Sequence, residues 1–201
     1  MNNSPYEGLL VQEWQAKTLE LIDQHPLDPN EIYEVVIQVW SEIFQSSITS
    51  RGYKIGVDFF PSPQVLGSFL HDLIPLEFAY RYPQIWRIQS NKYEKDLVYV
   101  PDDYFSIEIK TSSSKRNTYG NRSYTQKSST VNPGTKTKSG YYLVINFQKL
   151  IISLLNPQIN LVRFGWLDLD DWKGQKSQTG QQANLRPEVE RYKLLKIPLQ
   201  T

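Results

Sequence analysis

Helical periodicity opens the chain and gives way to strand periodicity near its middle. Between Tyr6 and Gln24, residues Leu10, Trp14, Thr18, Leu21 and Ile22 fall near one face, which predicts an amphipathic helix that His25-Pro26 ends. Asp28-Pro29-Asn30-Glu31 predicts a second helix start, with an Asp cap, Pro in the first turn and an acid three residues on. That helix is expected to reach about Ser46 and to bury Ile32, Val35, Val36, Val39, Ile43 and Phe44. Arg51 to Phe60 reads as a Gly-containing connection with room for a short strand. Ser62-Pro63 starts a third helix, which Pro75 is expected to interrupt after Ile74.

Strands follow. Gln84 to Gln89 reads as the first, with Trp86 and Ile88 on one side. Lys95 to Val100 and Tyr104 to Lys110 read as two more, joined by Pro101-Asp102-Asp103, which is turn chemistry. Tyr141 to Phe147 and Gln158 to Leu167 are apolar on both faces, as in a sheet covered by helices. Periodicity does not decide between strand and helix for Lys149 to Leu155, and Glu188 to Leu199 closes the chain as a short helix or strand. No repeat or linker divides the chain. The pattern predicts one α/β domain over residues 1–201: a mainly helical part, 1–80, then a mixed central β-sheet flanked by helices over 81–201.

The hairpin carries the chemistry. From Tyr104 to Lys110, Phe105, Ile107 and Ile109 point one way while Ser106, Glu108 and Lys110 point the other. A three-residue loop sets Leu97 opposite Ile107, Tyr99 opposite Phe105 and Asp96 opposite Glu108, with facing Cβ atoms about 4.5–5.5 Å apart. A two-residue loop would set Leu97 against Glu108, a worse match. Two carboxylates that close repel unless a cation lies between them, and Mg²⁺ suits carboxylate and carbonyl oxygens. Pro101-Asp102 offers a second acid, but Asp102 sits in the turn, at the far end of the hairpin from Glu108.

Composition narrows the classes. With no cysteine, disulfides, thiolate zinc sites and Cys nucleophiles are excluded, which fits a reducing cytoplasm. Two histidines, His25 and His71, do not make a multi-histidine metal site. His71 reads first as a hydrogen-bonded structural residue, with a place at the site as the alternative. No apolar run approaches the roughly 20 residues of a membrane span, and the N-terminus lacks a signal-peptide layout. The net charge of +1 hides an asymmetry: 11 acids and 3 bases from Met1 to Phe78, against 10 acids and 19 bases from Ala79 to Thr201. A basic second half suggests a polyanion partner; two solvated faces that neutralise each other are the plainer alternative.

Two polar loops concentrate that charge. Thr111 to Ser139 holds Lys115, Arg116, Arg122, Lys127, Lys136 and Lys138 and no acid, with Tyr119, Asn121, Ser123, Tyr124 and Gln126 among them. Such groups neutralise phosphates and donate to their oxygens, and Asn and Gln pair with adenine in the major groove. Lys173 to Arg186, which includes Gln181 and Gln182, is a second acid-free loop. Both are candidate nucleic-acid surfaces, and flexible solvated loops are the alternative.

Asp96, Glu108 and Lys110, with Ile109 between the last two, resemble the motif of the PD-(D/E)xK nuclease superfamily, although Lys95 stands where that motif has Pro. Several stretches resemble more closely the ScaI-like group of type II restriction endonucleases: FSIEIKTSS, GNRSYTQK, KSGYYLVINF, VRFGWLD and TGQQANL. They cover roughly Glu94 to Leu185, about half the chain. The resemblance implies a restriction-endonuclease-like core and a homodimer that cuts double-stranded DNA at a short palindrome with Mg²⁺. It implies that Asp96, Glu108 and the Ile109 carbonyl hold the metal and that Lys110 serves the attacking water. It also implies an extra acid from a preceding helix, for which Glu77 is the candidate and Asp72 the alternative; Glu42 reads as a surface acid. A repair or recombination nuclease of the same fold, a noncatalytic nucleic-acid-binding module, and an interaction scaffold with a structural ion pair are the other readings.

Overall fold

The computed structural model describes residues 4–121, 137–154, 156–174 and 182–199. A short 3-10 turn, Val11–Glu13, leads into α1 (Trp14–Asp23). The first helix thus starts later than its periodicity suggests. Gly8 has φ +79°, a left-handed conformation that opens a turn and keeps residues 6–10 out of the helix. α2 (Pro29–Gln45) starts as expected: the Asp28 carboxylate accepts from the Asn30 N–H at 2.6 Å. It buries Ile32, Val35, Val36, Val39, Trp40 and Ile43, each stabilising by roughly 1.5–3 kcal/mol. A small hairpin, β1 (Ser47–Ile48) and β2 (Tyr53–Lys54), precedes α3.

α3 runs from Pro63 to Arg81, straight through Pro75. The proline ring removes the hydrogen bond that the His71 carbonyl would otherwise accept, a cost of about 3 kcal/mol. Burial on both sides of it outweighs that cost: Leu70, Ile74, Pro75 and Phe78 are all buried. Packing across the break therefore overrides the local stop signal.

The central sheet has six strands in the order β11-β8-β7-β5-β4-β3 among the described residues. These are β3 (Trp86–Ile88), β4 (Leu97–Tyr99), β5 (Ile107–Ser112), β7 (Gly140–Phe147), β8 (Ile159–Leu167) and β11 (Leu195–Lys196). β5 and β7 run parallel and the other neighbours antiparallel, which makes the sheet mixed. Tyr141, Leu143, Ile145 and Phe147 of β7 share one core with α1, α2 and α3. Residues 151–154 form a turn closed by a single Ile151–Leu154 bridge, neither strand nor helix.

The other face is covered differently from the expectation of helices alone. Tyr142 and Val144 pack with Trp172, Ala183, Leu185 and Val189. These belong to a second, three-stranded antiparallel sheet of β6 (Tyr119–Asn121), β10 (Gln182–Leu185) and β9 (Trp172–Gly174), and to α4 (Pro187–Tyr192). Strands of three or four residues are too short to show a period.

His25 is a core residue. Its ring lies against Trp86, Phe105, Tyr141 and Phe164. Its Nδ1 accepts from the Leu27 N–H at 3.1 Å, and its Nε2 meets the Phe105 carbonyl oxygen at 3.0 Å. An acceptor Nδ1 fixes the neutral tautomer that donates from Nε2. Burial pushes the imidazole pKa down from 6.5 to about 4. Between those values the unfolded chain binds a proton that the folded chain refuses, so stability drops as pH falls through that window. The expected loss from pH 7.5 to pH 4 is about 3 kcal/mol, read from denaturant unfolding, and His25→Gln is expected to flatten the profile over that range.

Candidate active site

The hairpin seen in the sequence is present with a longer connection, residues 100–106 in place of 101–103. Leu97 pairs with Ile107, the register that the three-residue loop required. Residues 103–105 coil into a 3-10 turn, so β5 begins at Ile107 and Phe105 lies outside the ladder, although its ring still meets Tyr99 edge-on at 5.9 Å. Asp102 caps that turn, its carboxylate accepting from the Tyr104 N–H at 3.0 Å. It is occupied at the turn, away from Glu108.

Asp96 stands just before β4, 7% exposed. The ladder stops at Leu97, and the Asp96 side chain takes over the next position: its Oδ2 accepts from the Ile109 N–H at 2.7 Å. Glu108 is 3% exposed, on the face of β5 opposite the buried Ile107 and Ile109. The Lys110 ammonium donates to Glu108 Oε1 at 2.6 Å and to the Ile109 carbonyl at 3.2 Å. One short segment thus gathers two buried carboxylates, a backbone carbonyl and an amine. Lys95 is also buried; its ammonium donates to the Ser139 carbonyl at 3.1 Å and lies over the Tyr142 ring.

α3 completes one side. His71 Nδ1 lies 3.6 Å from Asp96 Oδ2. In the sequence this place is only the alternative for His71, because nothing local marks a helical histidine as facing an acid 25 residues later. One turn earlier, Gly67 lets the helix approach β5: a Cβ there would stand 2.6 Å from Thr111 Oγ1. Glu77 is placed elsewhere. Its carboxylate accepts from Arg81 Nε at 2.8 Å and meets Gln38 Nε2 at 3.5 Å, within a network that also holds Glu31 and Tyr82.

The donor set suits a hard divalent cation. Asp96, Glu108 and the Ile109 carbonyl offer only oxygen, which Mg²⁺ and Mn²⁺ accept and which soft metals do not favour. Among the described residues there is no cluster of three or more His, Cys, Asp or Glu able to hold a metal. An ion here would therefore complete its shell with water and phosphate oxygens, as Mg²⁺ commonly does.

A cleft of about 640 Å³ opens at the carboxyl ends of β5 and β7 and meets the site groups at His71. His71, Thr111, Ser112 to Ser114, Asn121 and Gln182 line it. Lys115 and Arg116 are exposed in the connection that leaves β5. That connection is held from beneath: Arg163, 5% exposed, donates to the Arg116 carbonyl at 2.7 Å, to Thr118 Oγ1 at 2.9 Å and to Asn146 Oδ1 at 3.1 Å. Glu190 accepts from the Thr118 N–H at 2.7 Å. Lys138 lies before β7, at the end of the strand away from the cleft, with burial lowering its pKa. Arg122, Ser123, Tyr124, Gln126, Lys127, Lys136 and Gln181 lie outside the described residues.

Comparison with known proteins places the chain in a family. Residues 4–198 match the ScaI restriction endonuclease family. The chain is 44% identical, over 199 residues, to the type II restriction enzyme ScaI of Streptomyces caespitosus, a match that spans 98% of this chain and 85% of that one. The likeness thus reaches through the helical part, beyond the half of the chain where motifs were legible. With a mixed sheet, an acid-and-lysine cluster on its hairpin and a match over nearly its whole length, the chain belongs to the ScaI restriction endonuclease family.

Proposed function

We propose that this restriction endonuclease works as a Mg²⁺-dependent homodimer in the cytoplasm, cutting both strands of DNA at a short palindrome. A two-fold dimer suits a palindrome because each subunit reads one half-site. The observation that carries the reading is the gathering of Asp96, Glu108, the Ile109 carbonyl and Lys110 on one hairpin, with Lys110 on Glu108 at 2.6 Å and Asp96 on the Ile109 N–H at 2.7 Å.

Asp96, Glu108 and the Ile109 carbonyl would hold the ion. When bound, it supplies Lewis acidity for the scissile phosphate and makes nearby water more acidic. Lys110 neutralises Glu108 in the resting site, then orients the attacking water and stabilises the charge that develops on the phosphate. The Asp96 bond to the Ile109 N–H ties that carboxylate to the residue whose own carbonyl is another of the three oxygen donors. Water attacks the phosphorus in line with the P–O3′ bond, which breaks; the 3′-oxygen takes a proton from solvent and leaves as the hydroxyl, and the phosphate stays on the 5′ side.

The test is digestion of long linear DNA with Mg²⁺ followed by sequencing of the ends. Discrete fragments whose ends share one palindromic sequence are expected. A smear with unrelated ends would contradict site-specific cutting.

A further inference from the structure

We propose that the outer face of the β6–β10–β9 sheet reads bases, with Asn121 and Gln182 as a cross-strand amide pair that recognises adenine in the major groove. The inference rests on the nuclease reading above and adds to it the reading residues and their base.

Strand alternation gives this small sheet two unlike faces. Gly120, Ala183, Leu185 and Trp172 point inward and are buried. Tyr119, Asn121, Gln182, Asn184 and Lys173 occupy the alternate positions. That outer face carries amides, a phenol and an ammonium and no acid, so it complements a polyanion. In the register, Gln182 is directly opposite Asn121. Facing residues of an antiparallel pair share a side, with Cβ atoms about 4.5–5.5 Å apart. Both are exposed, and both line the cleft that holds His71 and Ser112 to Ser114.

The ribbon is seated beside the chemistry. Its inner face packs on Tyr142 and Val144 of β7. Those residues are the register partners of Glu108 and Lys110 on β5. Partners in a parallel pair share a face, so the ribbon and the acid-lysine cluster lie on the same side of the central sheet. Arg163, Asn146 and Glu190 brace the connection between them through the Arg116 carbonyl and Thr118. A site braced by buried hydrogen bonds holds its reading groups in place.

The chemistry of the pair names the base. Neutral amides can donate to phosphate oxygens but neutralise no charge, which is the part of Lys and Arg. Asn and Gln match the adjacent acceptor N7 and donor N6 of adenine with one carbonyl and one NH₂, and the major groove admits a two-stranded β-ribbon. The plainer alternative, in which these amides only hold β6 to β10, predicts no base preference.

The test selects duplexes from a random library with the full-length protein in two ways: by cleavage with Mg²⁺, and by binding with Ca²⁺, which requires no cutting. The wild type is expected to demand adenine at one position of each half-site. Asn121→Ala or Gln182→Ala is expected to lower discrimination at that position about ten- to a hundredfold, leaving the other positions and the melting temperature unchanged. Asn121→Asp or Gln182→Glu is expected to move the preference toward cytosine, whose N4 amino group donates to a carboxylate. Unchanged base ratios in all four variants would overturn the proposal, and so would weakening spread evenly over every position. If the wild type cuts nothing, the nuclease reading fails, and the Ca²⁺ selection still decides for or against the amide pair.

Discussion

Lys110→Ala is expected to cut DNA about 10³-fold more slowly than the wild type while holding the same duplex as tightly. The ammonium bridges Glu108 and the Ile109 carbonyl at 2.6 and 3.2 Å, inside the group of oxygens that would receive the ion. Its loss removes both the orienting group for water and a charge opposite the developing anion, while the exposed Lys115 and Arg116 are untouched. Single-turnover cleavage in Mg²⁺ measures the first effect, and fluorescence anisotropy in Ca²⁺ the second. Glu108→Ala is expected to lose as much cleavage. Equal loss of binding and cleavage in Lys110→Ala would mean that this residue holds the hairpin together rather than serving the reaction.

The largest stability effect is expected far from that site. Lys193 is 3% exposed, and its ammonium contacts Asp168 Oδ2 at 2.9 Å and Asp171 Oδ1 and Oδ2 at 3.1 and 3.0 Å. It also lies over the rings of Tyr6 and Trp14, at 4.1 and 4.6 Å. Asp171 ends a 3-10 turn, Leu169–Asp171, that Asp168 precedes; Asp171 accepts from the Asp168 N–H, and the turn pairs with this lysine. Lys193→Met would leave Asp171, 2% exposed, with the more distant Arg186 guanidinium at 3.5 Å as its cation, and Asp168 with the neutral donors Ser4 Oγ and Trp166 Nε1. Breaking a buried pair costs about 3–5 kcal/mol. For a protein of this length that corresponds to a melting temperature lower by about 10 °C.

The sign with pH follows from burial, which already pushes the Asp171 carboxyl up despite Lys193. An acid with a raised folded-state pKa binds its proton more tightly when folded, so its burden grows as pH rises. The Lys193→Met deficit is thus expected to be greater at pH 8 than at pH 4.5. Adding Asp171→Asn should restore part of the loss, because the two changes share one contact. A loss under about 1 kcal/mol would show that solvent reaches the pair.

Legibility in the sequence followed distance along the chain. The Leu97–Ile107 register was readable because turn chemistry and alternation lie within a dozen residues and agree with each other. The α2 start was readable because Asp28 and Pro29 act on the next turn. The stop assigned to Pro75 failed because partners from other elements bury Ile74 and Phe78 on either side of it. The β6–β10–β9 sheet was hidden for the same reason: its strands are very short, and β6 meets β10 across some sixty residues. Of the candidate site, the spacing of Glu108 and Lys110 was local and visible. The approach of His71 to Asp96 and the grip of Arg163 on the Arg116 carbonyl are tertiary, and no pattern of residue types announces them.

The central claim is that Asp96 and Glu108 share one divalent ion. Calorimetric titration of Mg²⁺ and Mn²⁺ into the wild type, Asp96→Asn and Glu108→Gln tests it most directly. The expected result is a heat of binding in the wild type that either substitution abolishes, with melting temperatures preserved. The same heat in all three proteins would contradict the claim and leave the acid-lysine cluster a structural ion pair.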